Sequence, residues 1–146
     1  MSAVLTLPLA AIAGLLIAYL LGSIPTGYLA GRLRGIDIRQ HGSKSTGATN
    51  ALRTLGKGPA LVVLIVDVAK GAAAVLFANG FYVWLLSASP DAPVAADGET
   101  FRQVAVCICG LAALVGHARP VWLNFVGGSP LPPALAFCWR SPGLSA

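Results

Sequence analysis

Apolar residues fall into three long blocks separated by two polar ones. No residue from Ala3 to Leu21 is charged, and roughly twenty such residues are what a helix needs to cross about 30 Å of hydrocarbon. This block predicts a first transmembrane helix, with Pro8 near enough to its start for the missing backbone donor to be tolerated. A cleaved signal peptide would carry its cations ahead of the apolar run; here none precedes it, and Arg32 and Arg34 lie on the far side. The second block, Pro59 to Ser89, carries only two charges, Asp67 and Lys70. It is long enough for one tilted helix with an extension, or for a helix and a re-entrant piece around Asn79 and Gly80. The third, Gln103 to Val115, barely spans alone, so its helix is expected either to continue past His117 or to stop at Arg119-Pro120.

The polar stretch from Gly31 to Gly58 is too irregular in period to be another span and predicts a long, ordered or semi-ordered loop rich in Gly, Ser and Thr. Connections of that length inside compact proteins are usually functional or disordered. Ser89 to Thr100, with two prolines and the acids Asp91, Asp97 and Glu99, predicts an exposed linker. The expected fold class is all-α: polytopic integral membrane helices with one long loop.

Composition supports a lipid setting, since 10% of residues are charged and 56% are hydrophobic, too apolar a balance for an ordinary soluble domain. A net charge of +5 raises nucleic acid as a partner, but six of the ten Lys and Arg fall between Arg32 and Lys57. Such clustering is a topology signal and argues against nucleic acid. It places the loop with Arg32, Arg34, Arg39, Lys44, Arg53 and Lys57 in the cytoplasm and the acidic linker outside, so that His117 and Gly127-Gly128 return to the cytoplasmic face. Cys107, Cys109 and Cys138 lack a C-x-x-C pattern and matching His spacing, which argues against zinc or a disulfide framework and leaves them as apolar fillers.

Three places could carry chemistry. Gly42-Ser43-Lys44-Ser45-Thr46-Gly47-Ala48-Thr49-Asn50 gathers small residues, hydroxyls and an amide, so backbone N–H groups there can approach an anion, above all phosphate. Arg39, Lys44 and Arg53 add positive charge, and Arg can grip phosphate oxygens in a bidentate fork. The plainer alternative is a solvated cationic loop that attracts anionic headgroups. Asp67 and Lys70, three apart on one helix face, are costly in a membrane unless they pair or face a polar cavity. His117 has no carboxylate or Ser beside it in sequence, so an interfacial anchor is the simplest expectation for it, as for Trp84 and Trp122.

In order along the chain, Gly22-Ser23-Ile24-Pro25-Thr26-Gly27-Tyr28, Asp37-Ile38-Arg39, Gly42-Ser43, Gly47-Ala48-Thr49-Asn50-Ala51-Leu52-Arg53, Leu55-Gly56, Asp67-Val68-Ala69-Lys70-Gly71, Gly116-His117 and Pro120 through Phe125-Val126-Gly127-Gly128 resemble the bacterial acyl-phosphate:glycerol-3-phosphate acyltransferases, the PlsY family. The resemblance covers nearly everything from Ala18 to Gly128. It implies acyl transfer from acyl phosphate to the sn-1 hydroxyl of glycerol 3-phosphate, giving lysophosphatidate at the cytoplasmic face of a bacterial inner membrane, with no metal, cofactor or acyl carrier. It also implies a catalytic role for Ser43 and Arg53. Arg39, Gly42, Lys44, Gly47, Thr49, Asn50, Lys70, His117, Gly127 and Gly128 would then bind substrate, with Asn50 and the glycines shaping the loop. Acyl phosphate is already activated, so an enzyme need only hold two anions together and stabilise the leaving phosphate. No Ser-His-Asp set is visible, and direct attack by the substrate hydroxyl is favoured over a covalent Ser43 intermediate.

After Gly128 the chain departs from the family, which continues with Lys, a small residue and Val-Ala-Thr; here Ser129-Pro130-Leu131-Pro132-Pro133 follows. One back-translation of Ser129 to Gly143, shifted by a single base, reads Lys-Ser-Val-Ala-Thr-Gly-Leu-Gly-Val-Leu-Leu-Ala-Leu-Ala-Trp. The expected division is therefore residues 1–128 as the amino-terminal part of a membrane acyltransferase domain and 129–146 as an out-of-frame tail. The missing loop lysine, together with the family's later His and Asn, predicts little or no transferase activity. A non-catalytic membrane fragment and, less favoured, an anion transporter component are the competing readings. Nothing in the sequence fixes the oligomeric state.

Overall fold

The computed structural model describes residues 2–89 and 97–125, with side chains from residue 8 onward. It is all-helical over these residues: α1 Ser2–Gly22, α2 Thr26–Leu33, α3 Ala48–Leu55, α4 Lys57–Ser87 and α5 Gly98–Ala118, with short 3-10 turns at Ile38–Gln40 and Val121–Leu123. Three segments, Pro8–Leu33, Lys57–Ser87 and Gly98–Leu123, are long and apolar enough to cross a membrane.

The apolar block at the amino terminus forms α1 as expected. It stops where Pro25 restricts the residue before it, and Ser23 closes the last turn by donating its Oγ to the Tyr19 carbonyl at 2.8 Å. The second block forms one unbroken helix of 31 residues, about 46 Å long at 1.5 Å per residue. The re-entrant alternative around Asn79 and Gly80 is therefore wrong. Asn79 does not break α4, because its side-chain oxygen accepts from the Arg102 guanidinium and ties α4 to α5. The third helix starts earlier than its apolar stretch, at Gly98. Glu99 pairs with Arg102 and accepts from Gln103 at 2.7 Å, so the acidic end of the supposed linker is the first turn of α5.

α1 and α5 run parallel and α4 runs antiparallel to both. Tyr82 Oη donates to the Ala11 carbonyl at 2.9 Å and its ring meets Phe101 edge-on at one end of the bundle. Lys70 reaches Ile24 at the other end. The core between the three helices is built mostly from small side chains, Ala18, Ala74, Ala78, Ala105, Cys109 and Ala113, around Tyr82 and Leu85. Small residues let helix backbones approach, which is how association is won where lipid is as apolar as the interface. Two glycines mark the closest approach. A Cβ at Gly22 would lie 2.0 Å from the Ala113 carbonyl oxygen, and one at Gly116 would lie 2.3 Å from that of Tyr19. The larger apolar side chains, among them Leu61, Ile65, Val68, Leu76, Leu111 and Leu114, point outward, the inverse of a water-soluble bundle.

The stretch between α1 and α4 is not the long loop its composition suggested. It folds into a cap of α2, a 3-10 turn and α3. The helix α2 ends in a Schellman motif, with Ile36 N–H donating to the Gly31 carbonyl and Gly35 N–H to that of Arg32, both at 3.0 Å, and with Gly35 left-handed at φ +70°. Gly56, at φ +89°, ends α3 and begins α4 without an intervening residue. Ile38, Ala51, Leu55, Ala60 and Val63 form a second small core beneath this cap. The cap, the break after α1 and the carboxyl end of α5 all lie at one end of the bundle.

Candidate anion-binding site

The Gly42–Asn50 segment is organised by one buried amide. Asn50, 1% exposed, donates its Nδ2 to the carbonyls of Ile38 at 3.1 Å, His41 at 3.1 Å and Ser45 at 2.7 Å. Its Oδ1 accepts from Ser43 N–H at 3.0 Å. The amide thus gathers four backbone groups beneath the loop; the Ile38 and His41 carbonyls also accept from His41 N–H and Lys44 N–H, whereas the Ser43 N–H and the Ser45 carbonyl rely on Asn50, at about 1–3 kcal/mol for each left bare. Gly42 is needed here, because it stands at φ +57° and a Cβ on it would lie 2.3 Å from Asn50 Oδ1. Lys44 also takes the left-handed region, at φ +60°. Gly47 caps α3 without a side-chain bond, and its N–H donates to Ser45 Oγ at 3.1 Å.

This frame leaves Ser43, Lys44, Thr49 and Arg53 exposed on its outer surface. Thr49 and Arg53 are four apart on α3 and share a face, while Asn50, Ala51 and Leu55 form the buried one. The segment was expected to offer its N–H groups freely. The structure shows several already used: Ser43 N–H binds Asn50, Lys44 N–H binds the His41 carbonyl at 3.0 Å and Gly47 N–H binds Ser45. The side chains and the first turn of α3 are what face outward.

Arg39 does not join them. Its Nε and Nη2 grip Asp37 at 3.0 and 2.8 Å, and its guanidinium carbon sits 4.6 Å above the centre of the Tyr28 ring. The Arg39 hydrogen bond holds the Asp37 carboxyl well below its ordinary range, at about 2, and the same bond raises Arg39. The sequence pattern counted Arg39 as free phosphate-binding charge without weighing Asp37, two residues away. Arg39 and Asp37 instead form a compact neutral pair that props the 3-10 turn supplying the Ile38 carbonyl to Asn50.

A second polar group lies deeper, where α1, α2, α4 and α5 meet. Lys70 Nζ pairs with Asp67 at 2.8 Å and donates to the Ile24 carbonyl at 2.6 Å. Thr26 Oγ1 donates to the same Asp67 oxygen, and His117 Nδ1 stands 3.7 Å from it. Lys70, 8% exposed, is thus a bound cation and not a loose one. His117 is half-buried, faces Asp67, and lines a cleft of about 450 Å³ with Gly22, Lys70, Gly71 and Gly110. The interfacial-anchor expectation for His117 fails because its carboxylate partner, fifty residues away in sequence, is brought beside it by the antiparallel packing of α4 on α5. Trp122, by contrast, is exposed at this end, and Trp84 is exposed at the other.

Sequence reasoning expected Asp67 to pair with Lys70 or face a polar cavity, and the two do pair; it did not assign Thr26, Asp37 or Tyr28 to a site. Asp37 was signalled by its spacing to Arg39, whereas nothing local signalled Thr26 as the partner of Asp67. Gly127 and Gly128, and the tail from Ser129, lie outside the described residues, as does Cys138. Among the described residues no three His, Cys, Asp or Glu side chains converge as a metal set.

A family model described as glycerol-3-phosphate acyltransferase matches residues 12–135. The chain is 66% identical over 117 residues to glycerol-3-phosphate acyltransferase 2 of Rhizobium johnstonii, covering 79% of this chain and 53% of that protein. It is 53% identical over 115 residues to the glycerol-3-phosphate acyltransferase of Acaryochloris marina, covering 78% and 51%. A crystal structure of PlsY (YgiH), an integral membrane glycerol 3-phosphate acyltransferase in its glycerol 3-phosphate form, superposes with a TM-score of 0.62 at 35% identity, over 81% of this chain and 50% of that one. The chain spans about half the length of the curated relatives it matches. With the family model matching most of its residues, the chain belongs to the glycerol-3-phosphate acyltransferase family.

Proposed function

We propose that this chain serves acyl transfer from acyl phosphate to glycerol 3-phosphate, forming lysophosphatidate for phospholipid synthesis in a bacterial inner membrane with the α2–α3 cap on the cytoplasmic side. The observation that carries this reading is the Asn50-braced loop, which presents Ser43, Lys44, Thr49 and Arg53 together on an exposed surface. Two cations and two hydroxyls on a rigid turn suit a phosphorylated substrate: Arg53 and Lys44 offset phosphate charge, and the hydroxyls donate to its oxygens.

In this mechanism the glycerol 3-phosphate hydroxyl attacks the acyl carbonyl, an ester C–O bond forms, the acyl C–O bond to phosphate breaks, and the hydroxyl proton passes to the departing phosphate. The charge that grows on the departing phosphate is met by Arg53. Ser43 orients substrate and forms no covalent intermediate. His117 and Lys70 border the cleft that runs from the cap end into the helices, and bind substrate there only through faces left over from Asp67. The cationic cap in the cytoplasm and the linker outside follow from the charge asymmetry of the two connections.

The test is lysophosphatidate formation from acyl phosphate and glycerol 3-phosphate by the purified chain, by a version whose reading frame is restored after Gly128 so that Lys-Ser-Val-Ala-Thr and the family's later helices follow, and by the Arg53→Ala variant of that version. The restored version is expected to be active and Arg53→Ala within it to lose about 10²–10³ in rate, the scale for one group that stabilises developing charge. The chain with its present residues 129–146 is expected to show little or no product. Product from the Arg53→Ala form at the parent's rate would sink the assignment of Arg53, and equal rates with and without the restored segment would sink the out-of-frame reading of the tail.

A further inference from the structure

Three consecutive residues at the start of α2 touch three different parts of the molecule. Thr26 donates its hydroxyl to Asp67 in α4. Gly27 lies so close under the loop that a Cβ on it would stand 1.9 Å from the Thr46 carbonyl oxygen. Tyr28 underlies the Arg39 guanidinium, in the turn whose Ile38 carbonyl is held by Asn50. The first turn of α2 is therefore the seat of the Gly42–Asn50 loop, and its own position is fixed from below. Asp67 fixes it, since that carboxylate takes the Thr26 hydroxyl while its partner Lys70 caps the end of α1 through the Ile24 carbonyl. The backbone bonds of the break itself are short-range, Ile24 N–H to the Leu21 carbonyl and Thr26 N–H to that of Ile24, and none of them ties it to α4.

We propose that Asp67 is a positioning residue for the anion-binding loop, acting through the Thr26 hydroxyl to seat the first turn of α2 beneath Thr46. Asp67 does not touch substrate in this role. Its use of both Thr26 and Lys70 explains why an ion pair is kept among apolar helices, where a pair that served packing alone could be replaced by apolar side chains of similar size. The consequence for catalysis rests on the reading of the loop as the phosphate site, but the coupling itself does not.

The experiment is hydrogen exchange by mass spectrometry on the full chain in lipid nanodiscs, comparing Thr26→Val, Thr26→Ser and Asp67→Asn with the unsubstituted protein. Valine keeps the shape of threonine and removes the donor; serine keeps the donor. Exchange across residues 42–50, which include the bonded Ser43 and Gly47 amides, should rise about tenfold or more in Thr26→Val, the scale of one lost hydrogen bond to a charged partner. Asp67→Asn should raise it at least as much, and Thr26→Ser should leave it within about twofold. Peptides from the middles of α1 and α5 should be unchanged in Thr26→Val. The proposal is overturned by a loop equally protected in Thr26→Val and the unsubstituted chain, by serine loosening the loop as much as valine, or by α1 and α5 loosening as much as the loop. Adding glycerol 3-phosphate to the unsubstituted chain probes the anion reading separately. Added protection at 42–50 supports it, and its absence counts against that reading while leaving the Thr26 result to stand alone.

Discussion

The molecule has two polar centres, and they are built in opposite ways. Around Asn50 every partner lies within twelve residues, three of the four bonds go to carbonyls, and no formal charge takes part. Around Asp67 the partners come from α2, α4 and α5, two of them forty or more residues away, and the centre holds a full ion pair. The first can form as soon as its own segment folds. The second exists only once three helices have packed, and it is exposed to the full cost of charge in a poorly solvated setting if any partner is lost. The contrast says where the protein should be brittle: the loop loses local order when its amide goes, whereas the helix bundle loses its fit when a charge is left alone.

Substitutions can break this comparison at both ends. Lys70→Met should have the largest effect, because it leaves the partly buried Asp67 beside Thr26 and His117 without its ion-pair partner. Losing one member of such a pair costs about 3–5 kcal/mol, read as a large drop in thermal unfolding temperature in detergent. Asn50→Ala should come next. It strips the Ser43 N–H and the Ser45 carbonyl of their partner and the Ile38 and His41 carbonyls of one of two, at about 1–3 kcal/mol for each group left bare where water cannot reach. Its signature should be selective, with rapid hydrogen exchange across residues 42–50 and α4–α5 contacts intact.

Gly42→Ala should follow, since it combines a left-handed backbone, about 1–2 kcal/mol for an L-residue, with a Cβ crowding Asn50. It should loosen the same segment less than Asn50→Ala does. The smallest effect belongs to the solvent-accessible, partly exposed Asp37–Arg39 pair. The Asp37 carboxyl is depressed to about 2 from an ordinary 3.8. A carboxylate with a lowered folded-state value contributes stability fully above the ordinary value and loses it as pH falls toward the depressed one. Asp37→Asn should therefore lower stability slightly near neutrality, and its difference from the parent should close between about pH 4 and pH 2. An unfolding series in detergent across that range checks the sign.

Much of the fold was legible because lipid imposes a simple rule: a helix must be long and uncharged enough to span, and three blocks met it. The errors fell at the edges of those blocks. Glu99 looked like part of a linker because its charge was counted singly, but i,i+3 and i,i+4 bonds to Arg102 and Gln103 absorb it into a first helical turn. Residues 31–58 looked like a loop because α2 and α3 have eight residues each, too few turns for a periodic pattern to stand out. At the candidate site, Ser43, Asn50 and Arg53 were visible as members of one dense segment. The pairing of Arg39 with Asp37 was not weighed, because the same density that flagged Arg39 drew attention away from its neighbour two residues back.

What the sequence alone determined was the solvent of each segment and the chemistry of the 42–50 stretch, because both are written in neighbouring residues. What only the tertiary structure decided was partnership at a distance. Glycines at 22 and 116 let α1 and α5 close to backbone contact, and that approach delivers His117, Asp67, Lys70 and Thr26 to a common point. No local pattern encodes such a meeting, since a side chain's partner depends on how whole helices pack and not on what stands beside it in the chain.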